Sequence, residues 1–318
     1  MQQKDSNLVI SYSLGYHDWY VSEFYKFLHS KFEEKYRIKF KFIPIEEFGK
    51  KYGVLERTHI FTAFDWYNLI IYNPKTEKYF MHSCHDHSVE ALHDGLHRGL
   101  DITKFSCVPD TRHSFYSKYK DYIVPSVYRF EMWGDYKKLL DTKNNKSKLD
   151  KAYFIGELYG YRENYFNKLN AKDFFVIQNK QNPEHRKSKE KYYEELSKYR
   201  FNLSLNGAAG ICYRDIEIFG LGNFNLRDTF TCLTHDPIIK DVHYVEMFNE
   251  KLNQEIINPN IDSSKEIDIR IEEITGFCNS KEGELMLQNT KEWFANNCDP
   301  EKQVNVIDSI LEEFTILN

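Results

Sequence analysis

No run of 18 apolar residues occurs in the chain, so no segment is long and apolar enough to cross a bilayer as a helix. The opening MQQKDSNLVISYSL lacks the charged, apolar and small-residue sections of an export signal, which predicts a soluble, cytoplasmic protein. No CxxC pair joins Cys84, Cys107, Cys212, Cys232, Cys278 and Cys298; thiols scattered this way read as free, in a reducing compartment, rather than as a disulfide framework or zinc site. Neither sign of charge is in large excess: 43 Lys and Arg face 48 Asp and Glu, for a net charge of -5 and a pI near 6.2. Global electrostatics therefore give no reason to bind nucleic acid or an anionic membrane. Internal repeats and long low-complexity segments are missing as well.

What is present is a chain of 318 residues, long enough for two domains with substantial cores, in which 16% of residues are aromatic, supplied mainly by 23 Tyr and 24 Phe. The first stretch, NLVISYSLGYHDWYVSEFYKFLHSKFEEKYRIKFKFIPI, reads as strand, glycine-containing turn, amphipathic helix and strand. DWYNLIIYN and YFMHSC flank a Pro-Lys-Thr-Glu turn and predict a hairpin; a short helix (SVEALHDGLHRG) and further strands (ITKFSC, KDYIVP) follow. Residues 141–151, DTKNNKSKLDK, have no apolar periodicity, and the expected domains are residues 1–145 and 146–318. After them strands and helices alternate: KAYFIGEL, YRENYFNKLN, DFFVIQN, PEHRKSKEKYYEELSKY, RFNLSLN, YRDIEIFGLG and NFNLR, with two closing helices at the end. Such alternation predicts parallel sheets joined by βαβ crossovers, an α/β fold in both halves.

The stretch FNLSLNGAAGICYRDIEIFGLG carries the clearest chemistry. In an open α/β sheet, ligands meet the carboxyl ends of strands and the unpaired amides at the start of the next helix. Asn206, Gly207, Ala208, Ala209 and Gly210 have little side-chain bulk, so backbone N–H groups can approach an anion. Tyr213 and Arg214 then open a helix, where the arginine fork suits two-point contact with a diphosphate. Glu217, one turn on, is placed to accept hydrogen bonds from the hydroxyls of a ribose or sugar. The bland alternative is a tight turn with an Arg–Glu pair on a helix surface. Upstream, AYFIGELYGYREN repeats the design with Arg162 at a helix start, and DFFVIQNK puts Lys180 at a strand end.

The succession FIG…GYR, YRFNLSLNG and GxCYRxxExFGLG resembles the donor half of GT-B glycosyltransferases, in particular exostosin-like and protein O-glucosyltransferase-like enzymes, over residues 152–250 with the closing helices. The resemblance implies two Rossmann-like domains facing a cleft, with Arg162 and Arg214 on the diphosphate of a nucleotide-sugar and Glu217 on its hydroxyls. It implies transfer of a sugar from a UDP- or GDP-sugar to an acceptor hydroxyl of a glycan or protein-linked glycan, with no resident cofactor. Where those families often carry a Gly-x-hydrophobic-Pro-Val run after the helix, this chain has GLGNFNLRD, which leaves the donor's identity open. Asp-x-Asp does not occur, in keeping with metal-independent rather than metal-dependent transfer.

Such an enzyme needs a base to deprotonate the acceptor, and two clusters in the N-terminal half offer one. MHSCHDHS supplies Asp86, the first choice, among His82, His85 and His87; SLGYHDWY supplies His17 and Asp18, which equally suit a helix cap. A metal-binding module built on the histidines from His82 to His97 is the competing reading, although His93 and His97 lack the glutamate of HExxH. A non-transferring sugar-nucleotide enzyme, a lectin-like binding protein and a DNA-base glucosyltransferase complete the alternatives; the last requires a basic groove. The partners expected are a nucleotide-sugar donor and a glycan acceptor, without nucleic acid or an integral membrane segment. Oligomeric state is not legible.

Overall fold

A computed structural model of the chain describes residues 4–14, 19–51, 68–84, 89, 92–93, 96, 102–127, 133–142, 148–158, 161–205 and 210–313. In chain order the elements of the first part are β1 (Lys4–Ser11), α1 (Trp19–Tyr36), β2 (Ile38–Phe42), α2 (Ile45–Lys51), β3 (Asn68–Asn73), β4 (Lys78–Ser83), β5 (Ile102–Cys107), α3 (Tyr116–Tyr119), β6 (Ile123–Pro125) and α4 (Trp133–Asp141). Then come β7 (Leu149–Gly156), α5 (Tyr161–Asn170), β8 (Phe175–Asn179), a 3-10 turn (Pro183–His185), α6 (Lys189–Ser197), β9 (Tyr199–Ser204), α7 (Tyr213–Leu221), β10 (Phe224–Arg227) and β11 (Val245–Glu246). Four helices close the chain: α8 (Glu250–Ile257), α9 (Ser264–Cys278), α10 (Lys281–Asn297) and α11 (Pro300–Glu313).

Two compact α/β units result. The first comprises residues 1–133, 231–237 and 297–318, the second residues 134–230 and 238–296. The chain thus passes between units at several points, and α11 lies with the N-terminal unit. The stretch 141–151 contains the end of α4 and the first three residues of β7, while residues 143–147 lie outside the described residues.

The first unit is built on a six-stranded sheet of order β2-β1-β3-β4-β5-β6. Strand β3 runs antiparallel to both neighbours, and the remaining pairs are parallel. The expected hairpin is β3–β4, whose turn is closed by Asn73: its side-chain oxygen accepts from the Lys75 amide at 3.0 Å, and Glu77 completes the reversal at φ 56. All six residues of β3 are buried because both sheet faces are covered. On one face Ile10, Leu69, Ile71 and Phe80 pack with Leu28 and Phe32 of α1 and Ile307 and Leu311 of α11. On the other, Val9, Ile70, Met81 and Phe105 pack with Phe48 of α2 and Tyr119 of α3.

The second unit is fully parallel, in the order β11-β10-β9-β7-β8. Read by sequence, that is the 2-1-3-4-5 arrangement of a doubly wound sheet, with its reversal between β7 and β9. The two faces differ in kind. Phe154, Phe201, Leu203, Phe224 and Leu226 form an apolar face with Phe166 of α5, Ile256 of α8 and Ile267 and Ile274 of α9. The alternate positions, Asn202, Ser204, Asn225 and Arg227, are buried and polar. Buried amides require partners. Asn225 donates to Asp215 at 2.9 Å, while Asn223 donates to Asn202 at 2.6 Å and to the Leu196 carbonyl of α6 at 2.9 Å.

At the centre of this polar face Arg227 and Asp215, each 1% exposed, form an ion pair at 2.9 Å. Arg227 also donates to the carbonyls of Asp228 (2.9 Å) and Gly210 (2.8 Å), and Phe230 covers its guanidinium at 4.6 Å. Asp215 accepts the Cys212 amide at 2.9 Å, which caps the start of α7. The helix ends at Gly222, in the left-handed region at φ 60, where a Cβ would fall 2.3 Å from the Lys291 side chain.

Removing one member of a buried pair strands the other, at a cost of about 3–5 kcal/mol. Arg227→Met should lower unfolding stability by that order in urea titrations. A loss of under about 1 kcal/mol would show that the Cys212 amide and Asn225 satisfy Asp215 without it.

Candidate active site

The parallel order places the carboxyl ends of β7, β8 and β9, and the starts of α5, α6 and α7, along one edge of the second sheet. A cavity of about 560 Å³ opens there, lined by Ile155 at the end of β7, Arg162 of α5, Lys180 and His185 after β8, Lys187 and Lys189, Tyr192 of α6, and Cys212, Tyr213, Arg214 and Glu217 of α7. Among the described residues, five Lys and Arg side chains and one carboxylate line it, and Lys187 also lies 3.5 Å from Glu195. With the positive ends of three helices added, the cavity is built for an anion.

Each arginine is tied to the end of a strand. Arg162, at the second position of α5, is buried and donates through Nη2 to the Leu205 carbonyl at 3.2 Å, just beyond β9. Arg214 donates through Nη2 to the Ile155 carbonyl of β7, and its guanidinium lies 4.3 Å from the Phe154 ring centroid. Its buried Nε has no hydrogen-bond partner among the described residues. Gly156 makes this possible: a Cβ there would sit 2.6 Å from the Phe154 ring and 3.0 Å from Arg214 Nη2.

Glu217 is buried, and its two carboxylate oxygens accept from Tyr192 at 2.9 Å and Tyr193 at 3.3 Å. Desolvation raises its pKa above the usual carboxyl range, opposed by Lys189, the tyrosine hydroxyls and Arg214. Burial drives the Tyr192 phenol upward too, so its hydroxyl remains a donor. Cys212, 3.2 Å from Ser204 Oγ, is pushed up to about 11 chiefly by burial and stays a thiol.

The side chains of Arg162, Lys180, Tyr213, Arg214 and Glu217, singled out in the sequence, therefore line one cavity. Gly210 does not line it: its buried carbonyl accepts from Arg227 and anchors the approach to α7. Asn206 and Gly207, and the proposed bases Asp86, His17 and Asp18, lie outside the described residues. His185, Lys187, Lys189 and Tyr192 escaped the sequence reading, which treated PEHRKSKEKYYEELSKY as one helix. Its signal was the basic run His185-Arg186-Lys187-Ser188-Lys189 a few residues after a strand; the structure breaks it into a 3-10 turn, three extended residues and α6.

The histidine cluster has a different character where it is described. His82 is 1% exposed in β4, with Nδ1 3.0 Å from Ser106 Oγ, and burial lowers its pKa to about 3, so it is a neutral core residue. His93 stacks on Phe115 with ring centroids 4.1 Å apart and meets the Tyr119 hydroxyl at 2.7 Å. No group of three or more His, Cys, Asp or Glu able to hold a metal ion occurs among the described residues; His85, Asp86, His87 and His97 lie outside them. All six cysteines are free.

No protein-family model matches the chain. No curated protein matches it either. Among solved structures, the chain is similar to the pneumococcal O-GlcNAc transferase GtfA, crystallised in complex with UDP and GlcNAc, at 9% sequence identity and a TM-score of 0.41. The match covers 67% of this chain and 46% of that one, so the chain spans less than half the length of that protein.

The raised pKa of Glu217 gives a pH test. A carboxyl whose folded pKa is raised contributes stability that is complete below its unfolded pKa and is lost as pH rises through the folded value. Glu217→Gln should therefore melt higher than the parent protein at neutral pH and show a flatter dependence on pH. A lower melting temperature at neutral pH would mean that the two tyrosine donors outweigh desolvation.

Proposed function

We propose that the cavity binds the diphosphate of a nucleoside diphosphate sugar and that the protein is a metal-independent glycosyltransferase. The observation that carries this reading is the convergence of Arg162, Lys180, Lys187, Lys189 and Arg214 at the reversal point of a parallel sheet, beside a buried carboxylate. The resemblance of GYR and CYRxxExFGLG to GT-B donor domains supports the same assignment.

When the bond to the anomeric carbon breaks, negative charge grows on the departing diphosphate. Cations fixed at that position stabilise the transition state more than the ground state. Five cationic side chains would supply the compensation that a divalent ion provides in metal-dependent enzymes. Glu217 would accept a hydrogen bond from a ribose or sugar hydroxyl through lone pairs that its two tyrosine donors leave over. Deprotonation of the acceptor, a glycan hydroxyl, is assigned to Asp86, with His17 and Asp18 as the alternative pair.

Three measurements test the assignment. In a thermal-shift panel of UDP, GDP, CDP, ADP and UDP-sugars, one diphosphate should raise the melting temperature selectively, with the same shift in EDTA. Arg214→Ala should weaken that ligand by about tenfold to a hundredfold, the worth of a charge-assisted hydrogen bond, with the fold intact. A flat panel, or unchanged affinity in the variant, would remove the cavity from the mechanism. Asp86→Asn should abolish transfer and keep donor binding; loss of thermal stability alone would make Asp86 structural.

A further inference from the structure

His185 is absent from the roles assigned above, and its geometry gives it one. It closes the 3-10 turn Pro183–His185, which Asn182 holds in shape: the Asn182 side chain accepts the Glu184 amide at 3.1 Å and its carbonyl accepts the His185 amide at 3.0 Å. The ring is fixed from behind, with Nδ1 3.0 Å from the Asn179 carbonyl at the end of β8. A carbonyl only accepts, so Nδ1 carries a proton and donates. In the neutral ring Nε2 is then a bare acceptor, in a cavity whose other groups attract anions. A phosphate oxygen offers no proton to such an acceptor. Contact between the two needs a second proton on the ring.

Resting on the reading of the cavity as a nucleoside diphosphate sugar site, we infer that His185 is a phosphate-contacting residue whose Nε2 takes up a proton from solvent as the diphosphate binds. The charged neighbours set the direction. Lys180 and Lys187 flank the turn on the chain, Arg186 follows it, Lys189 and Tyr192 come from α6, Arg162 from α5, and Arg214 and Glu217 from α7. Glu184, on the turn itself, is exposed. A bound diphosphate brings negative charge against the ring, which favours the imidazolium form. By linkage, a ligand that draws a proton onto the protein binds more tightly as pH falls, by at most about tenfold per pH unit for one proton.

The test is calorimetric titration of the full chain with UDP-glucose, GDP-mannose and ADP-glucose, whose diphosphate diesters have no proton to exchange between about pH 5 and 8, in buffers of different ionisation enthalpy. The expected result is uptake of up to about one proton per ligand bound and affinity that falls as pH rises. His185→Asn keeps a donor for the Asn179 carbonyl and removes Nε2; it should lose both the uptake and the pH slope, with its affinity settling at the parent's high-pH limit. His185→Gln, which keeps a polar group near Nε2 but cannot charge, should be equally flat. Proton uptake that persists in both variants, or is absent from the parent, overturns this inference alone. Failure of all three nucleotides to bind overturns the donor-site reading and this inference with it.

Discussion

The Asp215–Arg227 ion pair is the constraint on which the rest of the candidate site depends. Two charges withdrawn from water are costly unless their remaining hydrogen-bonding positions are filled. Here most of them are met by parts of the chain that must consequently stay in register: the Cys212 amide, Asn225 of β10, and the carbonyls of Gly210 and Asp228. The pair therefore fixes the first turn of α7 against β10 and fixes the end of the loop that leads into it. Arg214 precedes Asp215 directly, so the direction in which its side chain leaves α7 is set by the same anchor.

The two faces of the second sheet divide the labour. One is a conventional apolar core of Phe and Leu against α5, α8 and α9, and the hydrophobic effect accounts for its cohesion without specifying fine geometry. The other uses asparagines, an aspartate and an arginine, whose hydrogen bonds are directional and tolerate little displacement. Side chains alternate across a strand, so each of β9 and β10 serves both purposes at once: Phe201 and Leu203 hold the core while Asn202 meets the Leu196 carbonyl of α6 at 3.4 Å. A sheet with two apolar faces would be at least as cohesive, but it would leave α6 and α7 free to slide.

Much of this was open to reading from the residues alone. The period-2 runs and their helical spacers gave the βαβ units, and Pro-Lys-Thr-Glu gave the β3–β4 hairpin, because turn chemistry and hydrophobic periodicity are local properties. Arg162, Arg214 and Glu217 were legible because small residues followed by a charge at a helix start form a local signature. Lys187, Lys189 and Tyr192 were not: they reach the cavity through the break in helical geometry between His185 and Lys189, which propensity does not reveal. The roles of Asp215 and Arg227 were equally hidden. Nothing in YRDIE or FNLRD says that those two side chains will be the ones withdrawn from water, since that follows from the packing of α7 against β10.

The tethering of both arginines bears on how the cavity can act. Arg162 holds the carbonyl of Leu205 and Arg214 that of Ile155, each with one Nη2, so the ends of strands β9 and β7 orient the two guanidinium planes before any ligand arrives. Flexible surface arginines would have to give up rotamer freedom and shed water on meeting an anion. Groups already fixed in a partly buried site avoid that reorganisation, which is the main reason preorganised dipoles and charges outperform solvent. Phe154 packed against the Arg214 guanidinium adds to the restraint, and the absence of a side chain at Gly156 permits it. A larger residue at Gly156 would disturb the arginine while leaving its charge intact. Position and charge are thus separable in this cavity, and the glycine acts on position alone.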